Sequence, residues 1–160
     1  MSNTIQRGTM ATTISDIMRK KLISVEDSAT VQEAAKEMMD KNVSSLVVVD
    51  EKSRPIGLVT ERDLVRKVCI QDAYTSKIIT KEIMSSPMIT IESSSSPSEA
   101  IDAMLRNNVR HLLVVDNSNR SPEDKNKPIG IITPLDFTRS QDYAGSDNND
   151  NIEKLLEYYI

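Results

Sequence analysis

Pro55-Ile-Gly57-Leu-Val-Thr60-Glu-Arg-Asp63 returns 73 residues later as Pro128-Ile-Gly130-Ile-Ile-Thr133-Pro-Leu-Asp136. Upstream the same chain repeats at a spacing of 66, which lays Ile17-Met18 on Ile83-Met84, Glu33-Ala34 on Glu99-Ala100 and Asn42-Val43 on Asn108-Val109. From Asp16 to Asp50, 14 of 35 positions are identical at that spacing. The register changes because eleven residues separate Asp116 from Pro128, where four separate Asp50 from Pro55. A duplication of this length decides the architecture before any single motif is read.

Local signals agree between the two copies. A short helical turn ends near Met18 and near Met84, and a brief strand is expected at 22–25 and 88–91. Thr30 with Glu33, and Ser96 with Glu99, have the spacing of capping boxes, and Pro97 stands at a first helical position. The helices that follow carry one-sided apolar stripes (Val31, Ala34, Ala35, Met38, Met39 and Ala100, Ile101, Met104, Leu105), with Asn42 and Asn108 as helix-ending residues. Runs at 46–49 and 112–115 are short, β-branched and bounded by Asp, as fully buried strands are. A further strand at 56–60 and 129–133 leads into helices starting near Glu61 and Pro134.

The fold class is therefore α+β, with two pseudo-symmetric β-α-β-β-α repeats. One such unit buries too little apolar surface to be stable alone, so the two should pack sheet to sheet. The chain divides into an N-terminal extension (1–13), a first repeat (14–72), a second repeat (73–140), and a polar tether with a short helix (141–160). Residues 117–127 form a polar loop, and the amphipathic pattern at 152–160 suits a helix packing back on its own domain or on a dimer mate.

Composition excludes most familiar chemistries. The 160 residues carry one Cys and one His, which removes disulfide frameworks and the usual zinc sites, and no metal site is expected. No apolar run nears the roughly 20 residues of a membrane span, and 1–10 lacks an apolar signal core, so a cytoplasmic setting is expected. A net charge of -4 and 3% aromatic residues make a nucleic-acid surface a poor fit, though not a local basic patch. Cys69 reads as a buried apolar side chain.

The two Gly-to-Asp motifs are where chemistry could lie. Each spans the end of a strand and the start of a helix. Glycine permits close approach of a ligand or a neighbouring strand, and the Thr hydroxyl beside the helix start suits a phosphate. An Asp three residues on could accept two hydrogen bonds from a ribose diol. The same Thr and Asp also form an ordinary helix cap, and both readings stand.

Together with Asp16-Ile-Met18, Glu82-Ile-Met84, Val43-Ser-Ser-Leu-Val-Val-Val-Asp50 and Val109-Arg-His-Leu-Leu-Val-Val-Asp116, these motifs resemble a tandem pair of CBS (cystathionine β-synthase) domains, a Bateman module, over residues 14–140. The resemblance implies two clefts for adenosine-containing ligands and a disk-like homodimer. It places Thr60, Arg62, Asp63, Met84, Ile89, Val109, Arg110 and His111 in one cleft. Asp63 would hold the ribose, Ile89 and Val109 would frame the adenine, and Thr60, Arg62, Arg110 and His111 would face phosphates. The other cleft would combine Met18, Ile23, Val43, Ser44 and Ser45 with Thr133 and Asp136.

Ser44, Ser45 and Leu135 stand where the first cleft has Arg110, His111 and Arg62. Charge-assisted bonds to phosphate are the stronger ones, so the Asp63 cleft is expected to bind nucleotide more tightly. Strand alternation lets only one of Arg110 and His111 face a given side, unless the strand starts irregularly. Met18 and Met84 fit either the core or a ligand contact.

The expected function is a stand-alone regulatory module that binds AMP, ADP or ATP and signals to a regulated protein by conformational change. No cofactor is required, no catalytic residue is assigned, and no enzyme activity is expected. An S-adenosylmethionine-type sensor and a nucleotide-independent dimerising scaffold are the alternatives.

Overall fold

A computed structural model of the chain describes residues 12–118, 121, 122, 124–139 and 153–157. The first half comprises α1 (Ile14–Ile17), β1 (Ser24–Glu26), α2 (Val31–Lys41), β2 (Ser45–Val49), β3 (Pro55–Thr60) and α3 (Glu61–Leu64), which widens into a π-helical turn over Val65–Cys69. The second comprises α4 (Thr80–Ile83), β4 (Thr90–Glu92), α5 (Pro97–Asn107), β5 (Leu112–Val115), β6 (Pro128–Ile132) and α6 (Pro134–Arg139). A helical turn follows at 153–157. The extension up to residue 11 and most of the expected tether lie outside the described residues. None of the described helices is long and apolar enough to cross a membrane.

Both capping boxes form. The Thr30 and Ser96 hydroxyls accept from the Glu33 and Glu99 amides, whose carboxylates accept from the two cap residues in return. Asn42 and Asn108 end their helices in the left-handed region, at φ 53° and 52°, where Asn is tolerated. Each half then builds a three-stranded sheet with the first strand parallel and the third antiparallel to the middle one. Even the bulges repeat, between Val48 and Val49 and between Val114 and Val115.

Side-chain alternation along the middle strands explains the layering. Leu46 and Val48 face the helices of the first half, Leu112 and Val114 those of the second. Val47 and Leu113 point the other way and join Ile131 in a third apolar cluster. That cluster is the expected sheet-to-sheet contact, and Leu22, Leu58 and Met88 pack around it.

The halves also exchange their leading helices. Ile14 of α1 is fully buried in the core of the second half, where its amide donates to the Ser95 carbonyl at 2.9 Å. Ile83 of α4 belongs to the core of the first, and the buried Thr80 donates through its amide to Ala29 O (2.8 Å) and through its hydroxyl to Glu26 O (2.6 Å). Beyond each helix the chain pairs once with the last strand of the other half, at Arg19–Ile131 and Leu58–Ser85. The strands expected from residues 22 and 88 begin at Ser24 and Thr90: the preceding residues cross between two sheets and join the middle strands at Ile23 and Ile89, whose carbonyls accept from the Val47 and Leu113 amides.

Two smaller expectations are corrected. Cys69 is exposed while its neighbour Val68 is buried, because the widening at Val65–Cys69 rotates the face that an α-helical periodicity would predict. Met39 is 73% exposed, leaving Val31, Ala34 and Met38 as the buried stripe of α2.

Gly57 and Gly130 are explained by the crossing segments. A Cβ on Gly130 would stand 2.6 Å from Met18 Sδ and 2.9 Å from the Arg19 carbonyl oxygen; on Gly57 it would meet Met84 Sδ at 2.5 Å and Ser85 O at 3.0 Å. A methionine side chain can move, but the Arg19 carbonyl is held by the Ile131 amide at 2.9 Å. Gly130→Ala should accordingly cost about 1–3 kcal/mol by overpacking, read from urea unfolding. Adding Met18→Ala should recover only part of the loss, and full recovery would show that the backbone contact does not matter.

Candidate functional site

The exchanged segments bring the first Gly-to-Asp motif against the second half. Thr60, Arg62 and Asp63 meet Ile89, Val109, Arg110 and His111 around one cavity of about 610 Å³, well within the size range of small-molecule sites. Val109, Arg110 and His111 precede β5 as irregular backbone, so alternation does not separate them and both Arg110 and His111 line the cavity. Ser44 and Thr133, expected in the opposite cleft, line this cavity too.

Around the second motif the arrangement differs. Ile23, Val43, Ser44 and Ser45 line a cavity of about 130 Å³ together with Arg19, Lys21 and Lys41. Thr133 and Asp136 do not line it, and Asp136 is 3% exposed. Met18 and Met84 line neither cavity; they pack against the cores of the second and first half and press on the two glycines.

Both Thr–Asp pairs form caps. Asp63 Oδ2 accepts from the Thr60 amide (2.9 Å) and hydroxyl (2.7 Å), and Asp136 Oδ2 accepts from the Thr133 amide and hydroxyl, each at 2.8 Å. Each carboxylate keeps a second oxygen, which a cation meets. Lys67 Nζ lies 2.9 Å from Asp63 Oδ1 and donates to the Ile83 carbonyl at 2.5 Å. Arg19 Nε lies 3.0 Å from Asp136 Oδ1.

Arg19, Arg62, Arg66, Lys67 and Arg110 face the large cavity against the carboxylates of Glu61 and Asp63. A chain of net charge -4 thus holds a locally basic pocket, the arrangement that concentrates anionic ligands. Sequence reasoning missed Arg19, Arg66 and Lys67. The i,i+4 spacing of Asp63 and Lys67 was the available signal for one of them; Arg19 needed the tertiary pairing.

His111 is neutral at pH 7. Burial pushes its imidazole down from 6.5 to about 4, and the nearby charges of Arg110 and Arg19 act in the same direction. Its Nε2 lies 3.1 Å from the Ser44 hydroxyl. Toward a ligand it is a hydrogen-bonding group, not a cation.

Comparisons with known proteins give the family and the fold. The family model of the CBS domain matches residues 14–69 and again 80–142. An uncharacterized protein of Methanopyrus kandleri is 33% identical over 90% of this chain and 70% of its own length. The CBS domain pair of protein MJ0100, solved in complex with 5′-methylthioadenosine and S-adenosyl-L-methionine, superposes with a TM-score of 0.67 at 28% identity, over 81% of this chain and 95% of that one. A CBS domain protein of Pyrobaculum aerophilum complexed with AMP superposes with a TM-score of 0.69 at 24% identity, over 82% and 95%.

The depressed imidazole gives a pH prediction. As pH falls from about 6.5 towards 4, the unfolded chain takes up a proton that folded His111 refuses, so this group progressively destabilises the fold. The stability of the parent chain relative to His111→Gln should drop between pH 7 and pH 4.5 in urea unfolding. Parallel curves would refute the assignment.

Proposed function

The chain belongs to the CBS domain family, and on that premise we propose that it is a regulatory module binding an adenine nucleotide in the cavity around Asp63. One observation carries the reading: a cavity of about 610 Å³ joins the Asp63 carboxylate, the apolar side chains of Ile89 and Val109, and five basic side chains. A carboxylate suits a ribose diol, apolar groups suit the faces of a purine, and guanidinium groups suit phosphate oxygens.

In this reading Asp63 gives up its contact with Lys67 to the ribose while its other oxygen keeps the Thr60 cap. Lys67, held to Asp63 and to the Ile83 carbonyl through a flexible side chain, turns its ammonium to the phosphate. Ile89 and Val109 frame the adenine. Arg62 and Arg110 face the phosphates, with Thr60 and His111 as neutral hydrogen-bonding neighbours. AMP, ADP and ATP share these features. An S-adenosylmethionine-type ligand is the second reading, favoured by Glu61, a carboxylate at the same cavity that could face a sulfonium.

Binding and response, not turnover, is the proposed role. Ser44 and His111 form a hydroxyl–imidazole pair, but an imidazole titrating near 4 is a weak base at neutral pH, far from the value general-base catalysis favours. Because the cavity takes residues from both halves, a ligand shifts whichever relative arrangement of the halves binds it better. We propose that a homodimer transmits this shift to a regulated protein in the cytoplasm. Val65, Ile70 and Tyr74 stand exposed on and beyond the helix after the first motif, an apolar surface that a second copy would cover.

Thermal unfolding with AMP, ADP, ATP and S-adenosylmethionine tests the reading. A ligand at about 100 times its Kd adds about 2.7 kcal/mol, equivalent to a rise of about 5–10 °C in Tm for a chain of this size. AMP should raise the melting temperature, and Asp63→Ala should abolish the rise. Indifference to all four ligands would leave the dimerising scaffold as the better account.

A further inference from the structure

We infer that Arg19 is the built-in occupant of the Asp136 cleft and limits the chain to one adenosine ligand. The inference rests on the reading of the Asp63 cavity given above and extends it to the other cleft. The two crossing segments are equivalent in backbone. Arg19 exchanges amide and carbonyl bonds with Ile131, both 2.9 Å, and Ser85 exchanges the same pair with Leu58 at 2.8 and 3.1 Å. Ile131 and Leu58 each stand two residues before the Thr of a Gly-to-Asp motif. Whatever side chain occupies the crossing position is thus aimed along the strand at the motif. In one half that side chain is a serine, in the other an arginine.

The arginine takes what a ribose would need. Its Nε stands 3.0 Å from Asp136 Oδ1 and 3.3 Å from Oδ2, and its Nη2 donates to Thr133 Oγ1 at 2.8 Å. The Thr133 amide and hydroxyl already donate to Oδ2. Both carboxylates are buried, Asp136 at 3% and Asp63 at 9% exposure, but only Asp63 lines the large cavity. The ion pair crosses from one half of the molecule to the other and is locked by two backbone bonds at its arginine end. The Lys67–Asp63 pair, by contrast, joins residues one turn apart through a flexible side chain. A diol offers Asp136 neutral donors in place of a charge-assisted pair and would have to expel a guanidinium fixed at its Cα. Arg19 stands between the two cavities: the one of about 130 Å³ reaches neither Thr133 nor Asp136, and the large one reaches Thr133 but not Asp136.

Titration calorimetry of the full chain with AMP, 5′-methylthioadenosine and S-adenosylmethionine decides the matter. For the ligand that binds, the parent chain should give one site. Arg19→Ser, which installs the residue of the other half and removes one of the five basic side chains of the large cavity, should give two, with the Asp63 site weakened for a phosphate-bearing ligand. Asp63→Ala should abolish binding in the parent chain but leave one site in the Arg19→Ser background. Melting curves without ligand establish that Arg19→Ser is folded, and Arg19→Gln, which keeps a hydrogen-bonding side chain, serves if it is not. Two sites in the parent chain, or one in both folded Arg19 variants, would overturn the inference and leave the reading of the Asp63 cavity intact. No binding by the parent chain or by either variant would overturn both.

Discussion

The molecule turns on a close approach of backbones. At Gly57 and Gly130 the last strand of each half lacks a Cβ, and into that space comes the methionine and following carbonyl of a segment from the other half. Only this contact lets Ser85 pair with Leu58 and Arg19 with Ile131. Through those pairings α1 is delivered to the second core and α4 to the first. Each repeat, as a stretch of sequence, therefore lacks part of its own core. Neither half can bury its apolar surface without the other, so the fold is a single cooperative unit built from a duplicated one.

The same crossing creates the cavity. Thr60 and Asp63 begin a helix that caps itself, and left alone they would be nothing more than a cap. They become candidates for ligand binding because the exchanged segments bring Ile89, Val109, Arg110 and His111 against them. The cap is not in competition with that role. It consumes one carboxylate oxygen and fixes the rotamer of Asp63, which holds the other oxygen toward the cavity at no further entropic cost. Guanidinium groups supply the positive field, while the imidazole between them is driven neutral by burial and by those same charges.

Much of this was legible in the sequence. The two spacings of 66 and 73 located the repeat, and the capping pairs, the Asn helix ends and the β-branched runs placed the elements within a residue or two. Legibility failed where the answer depended on a partner far along the chain. The late starts of β1 and β4 follow from crossing between sheets, which no local pattern encodes. Cys69 escaped because a helix that widens for five residues breaks the 3.6-residue periodicity on which burial was read. Glycine was read as leaving room for a ligand or a neighbouring strand, and the structure shows instead a crossing segment of the other half that pairs once with the strand. Arg19 is one of twenty basic residues, and nothing in its local sequence marks it. Its significance exists only through Ile131 and Asp136, 112 and 117 positions further on.

Duplication supplies two copies of a backbone frame, and divergence then needs few changes. Arg19 against Ser85, Ser44 and Ser45 against Arg110 and His111, and Leu135 against Arg62 are four pairs of equivalent positions in this chain. They alter neither sheet register nor cap, since the bulges, the bridges and the Thr–Asp bonds are the same in both halves. They do alter charge. Asp63 lines a cavity with five basic side chains, while Asp136 lines neither cavity and is paired with one of those five, Arg19, from across the molecule. Since these positions leave register and caps unchanged, they can diverge with little loss of stability. A pseudo-symmetric protein can in this way keep two equivalent folds and two inequivalent sites.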